Sequence, residues 1–176
     1  MFNPEIHHRH SIRLKNYDYS QPGAYFVTVV TYQRETLFGQ IANDEMTLNE
    51  NGIVVQSCWE QIPLHFPTVH NDAFVVMPNH IHGIIIITYE GTVCRAPTES
   101  FGKPTVHSVP TIIRSFKSTV SKKINELRHM PGSPIWQRNY YEHIIRNDGE
   151  LNEIKQYISN NILQWALDRE NPHNSR

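Results

Sequence analysis

The chain has 176 residues, about one domain's worth, with a formal net charge of -1. At 39% apolar and 19% charged it is too apolar for a disordered chain, and no apolar run approaches the ~18 residues of a membrane span. With only Cys58 and Cys94 and no apolar leader at the N-terminus, it is expected to be a cytoplasmic protein without a disulfide framework.

Residues 1–20 read as an irregular arm carrying Pro4 and the cluster His7, His8 and His10, which suits either a mobile terminus or a metal. Gln21-Pro22-Gly23 signals a turn, and Ala24 to Tyr32, rich in Tyr, Phe, Val and Thr, predicts a strand. Leu37 to Ile41 and Met46 to Leu48 flank Asn43-Asp44 and predict a hairpin. Asn51-Gly52 opens a short amphipathic helix through Ile53, Val54, Cys58 and Ile62, ended by Pro63. Phe74 to Met77 predicts a strand, Pro78-Asn79 interrupts it, and His80 to Thr88 predicts a nearly all-apolar strand central to a sheet. Residues 90–106, with two prolines and two glycines, read as a loop. Ser108 caps a helix from Val109 to about Arg128, with Ile112, Ile113, Phe116, Val120, Ile124 and Leu127 at helical spacing. After the breaker 131–134, Ile135 to Ile145 predicts a strand. Asn147 or Asp148 then caps a last helix running to about Asp168. The order β-β-β-α-β-β-α-β-α gives an α+β fold, an antiparallel sheet with helices packed on it, in one domain over 1–176 with a loose tail from 169.

The charge is unevenly spread. Residues 35–102 hold one base and eight acids, whereas residues 103–146 hold eight bases and two acids. Arg114, Lys117, Lys122 and Lys123 on the predicted helix, followed by Arg138, make a local positive field that suits an anionic partner or simply a solvated face.

His80-Ile81-His82 is the sharpest local signal. On a strand the two imidazoles point to one face, so they either share a divalent ion or hydrogen-bond within the core. Tyr157 and Asn161 stand four apart on the last helix, on one flank of its apolar stripe.

Three blocks resemble a known family. Val76-Met77-Pro78-Asn79-His80-Ile81-His82 resembles the His-hydrophobe-His segment of the single-tyrosine HUH transposases. Trp136-Gln137-Arg138-Asn139-Tyr140-Tyr141-Glu142-His143-Ile144-Ile145-Arg146-Asn147 is similar to the later block of the REP-associated tyrosine transposases. Gly23-Ala24-Tyr25-Phe26-Val27-Thr28 resembles the same branch, and the likeness runs in order from about Ile12 to Trp165. It implies a ferredoxin-like HUH core, His80, His82 and Asn161 as metal ligands, and Tyr157 as nucleophile. It also implies Mg²⁺ or Mn²⁺ as cofactor, single-stranded DNA hairpins as partner, and a monomer or homodimer without a membrane. The implied reaction is cleavage and rejoining of single-stranded DNA through a 5′-phosphotyrosine. The alternatives are a domesticated, inactive hairpin-binding protein and an unrelated metal hydrolase using the His pair. Arg114, Lys117, Lys122, Lys123 and Arg138 then meet DNA phosphates, and Tyr140 or Trp136 either stack on bases or pack in the sheet. Gly83 stands where a bulkier residue is common in the family, and a glycine there suits close approach of backbone or ligand.

Overall fold

The segments richest in β-branched and aromatic residues pair into a four-stranded antiparallel sheet. The computed structural model describes residues 17–88, 107–168 and 170–174. Its strands are β1 (Gly23–Val30), β4 (Val69–Val76), β5 (His80–Ile87) and β6 (Tyr141–Ile145), in spatial order β4-β5-β1-β6. The two central strands, β1 and β5, are the most apolar, as double-sided burial requires. A separate hairpin joins β2 (Gly39–Ala42) to β3 (Glu45–Leu48). Its two turn residues, Asn43 and Asp44, sit at φ 52° and 60°, the left-handed pair that a two-residue hairpin turn needs.

Strand alternation divides the core in two. Val27, Val29, Ile81, Ile85 and Ile87 face α1 (Glu50–Glu60) and α3 (Val109–Leu127), and Trp59 and Phe116 complete that layer. Phe26, Ile84 and Ile145 face the other way, against α4 (Asp148–Asn160) and its buried Ile158. His80 and His82 share the parity of Ile84, so they lie on the α4 side. The register sets Thr28 opposite His82. Gly83 serves the opposite face: a Cβ there would lie 2.3 Å from the Trp59 ring. The close approach its small size permits is thus that of an indole, not of a ligand.

Several boundaries differ from the sequence pattern, and β4 begins at Val69 rather than Phe74. Asn49, not Asn51, caps α1, and Pro63 sits at the start of a further short helix, α2 (Ile62–His65), where its missing N–H costs nothing. Only Tyr141–Ile145 of the predicted strand 135–145 is a strand; Trp136 makes an isolated bridge to Thr31, and residues 137–140 form a loop. The last helix stops at Asn160 rather than running on to Asp168. Residues 170–174 of the expected loose tail fold back, with Glu170 bonded to Arg34 and Asn79.

The N-terminal histidine cluster, the 90–106 loop and Cys94 lie outside the described residues. Among the described residues no helix is long and apolar enough to cross a membrane.

Candidate metal and tyrosine site

The two imidazoles are fully buried and their Nε2 atoms lie 3.0 Å apart. Each ring is oriented through its other nitrogen. His80 Nδ1 lies 2.8 Å from Asn79 Oδ1. The Asn79 amide nitrogen donates to the Arg34 and Glu170 carbonyls, at 3.2 and 2.6 Å, so its oxygen must face His80. His80 therefore carries its proton on Nδ1 and turns an Nε2 lone pair into the site. His82 Nδ1 lies 2.8 Å from Thr28 Oγ1, which accepts or donates as the tautomer requires. Burial pushes both histidines down to about 3, with the His80–His82 proximity adding to the effect at His82, so both are neutral at ordinary pH.

Tyr157 enters from α4. Its hydroxyl is 3.2 Å from His82 Nε2, and its ring packs edge-on to Phe26 with centroids 6.1 Å apart. Phe26 also stacks on His82 at 5.4 Å, so one side chain braces both groups. Burial, then the nearby Asp168 carboxylate, raises the phenol above its ordinary value, while a hydrogen bond with the Asn161 side chain opposes this. Asn161 is buried beside it, and its Oδ1 has no hydrogen-bond partner among the described residues.

Asp168 joins the group. After Asn160 the chain turns through residues 161–164 and a short 3₁₀ segment at 165–167. That fold-back puts Asp168 Oδ2 3.7 Å from His80 Nε2. A continued helix would have carried it about 16 Å past Tyr157 along the axis. The side chains of His80, His82 and Asp168 offer ligand atoms all within 4.8 Å of one another.

This donor set fits a divalent cation. A forced lone pair on His80, a facing imidazole on His82, a carboxylate and an orphaned amide oxygen are mixed N/O ligands of the kind Mn²⁺, Zn²⁺ or Ni²⁺ accept. An unmatched buried amide oxygen otherwise costs about 1–3 kcal/mol.

The α4 helix is docked by polar clamps at both sheet edges. Asn147 caps it, accepting from Glu150 N at 2.9 Å. Glu150 in turn bonds His143 Nε2 on β6 at 2.6 Å, and Lys155 pairs with Asp72 of the β4 strand at 2.7 Å. His143 thus acts on the helix that carries Tyr157, not on the imidazole pair. A cavity of about 760 Å³ opens over the site, lined by His82, Tyr157, Asn161, Asp168, the half-exposed Tyr141 and Arg34.

The basic residues predicted to meet DNA diverge. The helix that bears four of them lies on the other face of the sheet from the histidines. Arg114 is exposed on α3 and Arg138 on the following loop. Lys117 is spent on the protein: its ammonium donates to the carbonyls of Gln137, Arg138 and Asn139, at 2.5, 3.3 and 3.4 Å. Burial pushes it down to about 8. Lys122 lies 4.0 Å from Glu126, and Lys123 faces the Cys58 thiol.

No family model matches the chain. A Haemophilus influenzae protein named only "Uncharacterized protein" is 44% identical over 177 aligned residues, 96% of either chain. A second H. influenzae protein, named "Putative REP-associated tyrosine transposase", is 25% identical over 86% of this chain and 77% of its own. Among solved structures, a REP-associated tyrosine transposase bound to a REP hairpin superposes with a TM-score of 0.58. It is 21% identical, and the match covers 88% of this chain and 74% of that one. The chain thus resembles the REP-associated tyrosine transposases, in sequence over most of its length and in fold.

Proposed function

We propose that the protein is a metal-dependent enzyme that cleaves and rejoins single-stranded DNA beside hairpin elements through a 5′-phosphotyrosine, the whole chain forming one HUH-type domain. The observation that carries this reading is the 3.2 Å contact between Tyr157 and His82, side chains 75 residues apart in sequence. A merely structural tyrosine would gain nothing from ending in a pocket of neutral imidazoles beside a carboxylate and an unmatched amide oxygen.

Tyr157 is the nucleophile. Its oxygen attacks the scissile phosphorus, the P–O3′ bond breaks, and the phenolic proton is made up on the departing 3′-oxygen. A free phenol ionises near pH 10, and this one is held higher by burial and by Asp168, so alone it is inert at neutral pH. His80, His82, Asn161 and Asp168 would hold a divalent cation, Mg²⁺ or Mn²⁺, which supplies polarisation of the phosphate and offsets the charge developing there. Burial keeps the two rings neutral, and Thr28 and Asn79 keep them correctly turned; Phe26 packs against the tyrosine ring. Because the phosphotyrosine keeps the energy of the broken bond, a second 3′-hydroxyl can reverse the step and join strands. The hairpin ligand of the solved relative suggests the same substrate class here. Arg114, Arg138, Lys122 and Lys123 supply phosphate contacts, and Lys117 supports them by holding the 137–139 carbonyls.

Incubation with hairpin oligonucleotides from its own genome's extragenic palindromes, plus Mn²⁺, should give a protein–DNA adduct on a denaturing gel. Tyr157→Phe should abolish the adduct while binding persists. Binding without an adduct, under both Mg²⁺ and Mn²⁺, would instead mark a domesticated hairpin-binding protein.

A further inference from the structure

The cavity over Tyr157 is short of positive charge. Asp168 and Glu170 line it, its histidine, His82, is neutral, and among the described residues of its wall Arg34 is the one cation. A phosphodiester beside two carboxylates needs a group that offsets them. Arg34 is held there in a costly conformation. Gln33 and Arg34 stand at φ 54° and 57°, two successive residues in the left-handed region with no glycine between them. Three hydrogen bonds fix the turn: Arg34 N donates to Thr31 O at 3.2 Å, the Thr31 hydroxyl to Glu35 O at 2.8 Å, and Asn79 Nδ2 to Arg34 O at 3.2 Å. Strain kept up by its surroundings is a mark of a side chain placed for function.

Two routes tie this arginine to the imidazole pair. Asn79 contacts both Arg34 O and His80 Nδ1. Asp168 lies 3.7 Å from His80 Nε2 through one oxygen and accepts from Glu170 N at 2.6 Å through the other. The Glu170 carboxylate then takes Arg34 Nε at 2.7 Å. That carboxylate is replaceable. The Arg34 side chain is 38% exposed, and an ion pair so open to water holds weakly. A guanidinium that accepts a carboxylate accepts the two unesterified oxygens of a phosphodiester in the same way.

We propose that Arg34 is the residue that grips the scissile phosphate, and that Glu170 holds its place until DNA arrives. The inference rests on the DNA-cleaving reading. Unlike Arg114, Arg138, Lys122 and Lys123, Arg34 meets the reacting group itself, where charge develops as the tyrosine attacks.

The test uses the full chain. The linkage that the parent cleaves with Mn²⁺ is mapped from its adduct, and the same DNA is made with a methylphosphonate there, which removes the negative charge of that one phosphate. Affinities for the two DNAs are read in EDTA. Arg34→Gln, which keeps a donor for Glu170, should weaken native DNA about tenfold or more. It should also lower the slope of log affinity against log salt by about 0.7. Affinity for the methylphosphonate DNA should stay within about twofold. With Mn²⁺ the variant should form its adduct about a hundredfold more slowly. Glu170→Gln, which leaves the backbone carbonyl for Asn79, should act the other way and tighten native DNA about threefold. Equal losses on the two DNAs from Arg34→Gln, or no gain from Glu170→Gln, would overturn the assignment. If the parent yields no adduct, the cleavage reading falls and Arg34 with it; if parent and Arg34→Gln form adducts at equal rates, only the role of Arg34 falls.

Discussion

Gly83→Ala puts one methyl against the buried Trp59 ring. An added Cβ would lie 2.3 and 2.7 Å from two carbons of the Trp59 ring and 3.1 Å from Phe74. Carbon atoms pack at about 3.5–4.0 Å, so the indole must retreat by more than about one ångström. It has nowhere to go. Trp59 is 1% exposed, stacks on Phe74 at 4.6 Å with the rings 8° from parallel, and meets Phe116 edge-on at 5.5 Å. Overpacking of this kind costs about 1–3 kcal/mol, and the lack of slack puts this case at the upper end. Urea denaturation followed by circular dichroism reads the loss. Trp59→Phe, which removes the two clashing carbons, is the control: alone it destabilises by leaving a cavity, but with Gly83→Ala the costs should fall short of their sum by about 1 kcal/mol or more. Additive costs, within about 0.5 kcal/mol, would show that the alanine is accommodated some other way and that Trp59 is not the reason for the glycine.

Asn147→Ala removes the cap of α4 and should cost about 1 kcal/mol, with hydrogen exchange rising first in that helix; a loss spread evenly over the sheet would contradict the assignment. Because burial holds His80 and His82 down to about 3, the unfolded chain binds more protons than the folded one between there and the ordinary value near 6.5. Stability of chelator-treated protein should therefore fall as pH drops through that window, by more than about 1 kcal/mol per unit for each histidine; urea midpoints that stay level between about pH 7 and pH 5 would refute the buried neutral pair. Asp168→Asn should weaken Mn²⁺ binding about tenfold or more, read as free-ion signal by electron paramagnetic resonance, and unchanged affinity would remove Asp168 from the ligand set.

The parts of the fold that sequence made legible are those governed by local periodicity. β1 and β5 announce themselves by runs of Val, Ile and Tyr, the α3 stripe by its spacing, and the β2–β3 turn by Asn43-Asp44. Alternation along β5 also sufficed to put His80 and His82 on one face, and helical spacing to put Tyr157 beside Asn161. Asp168 was not legible, because its place depends on where α4 stops. The only local hint is Asn160-Asn161, two residues poor at continuing a helix. The fate of Lys117 was equally hidden: a lysine on an amphipathic helix reads as a phosphate contact until the carbonyls of Gln137, Arg138 and Asn139 are seen around it. Pro63 shows the same limit in miniature, since a proline that ends one helix and one that begins another look alike in one dimension.

Asn79 explains how such distant pieces are held in one geometry. Its oxygen fixes the His80 tautomer, and its amide nitrogen ties the Arg34 turn to the Glu170 carbonyl of the returning chain end. The imidazole pair belongs to the rigid sheet, but Tyr157, Asn161 and Asp168 all arrive on a segment docked by polar clamps at its start and by this amide at its end. Its apolar anchorage is slight: Ile158 is the one buried residue of α4. Such a segment opens more readily than the sheet beneath it. Opening it would part Tyr157, Asn161 and Asp168 from the imidazole pair while leaving His80 and His82 in place, so the stability of the site is set by α4 and the chain end, not by the fold as a whole.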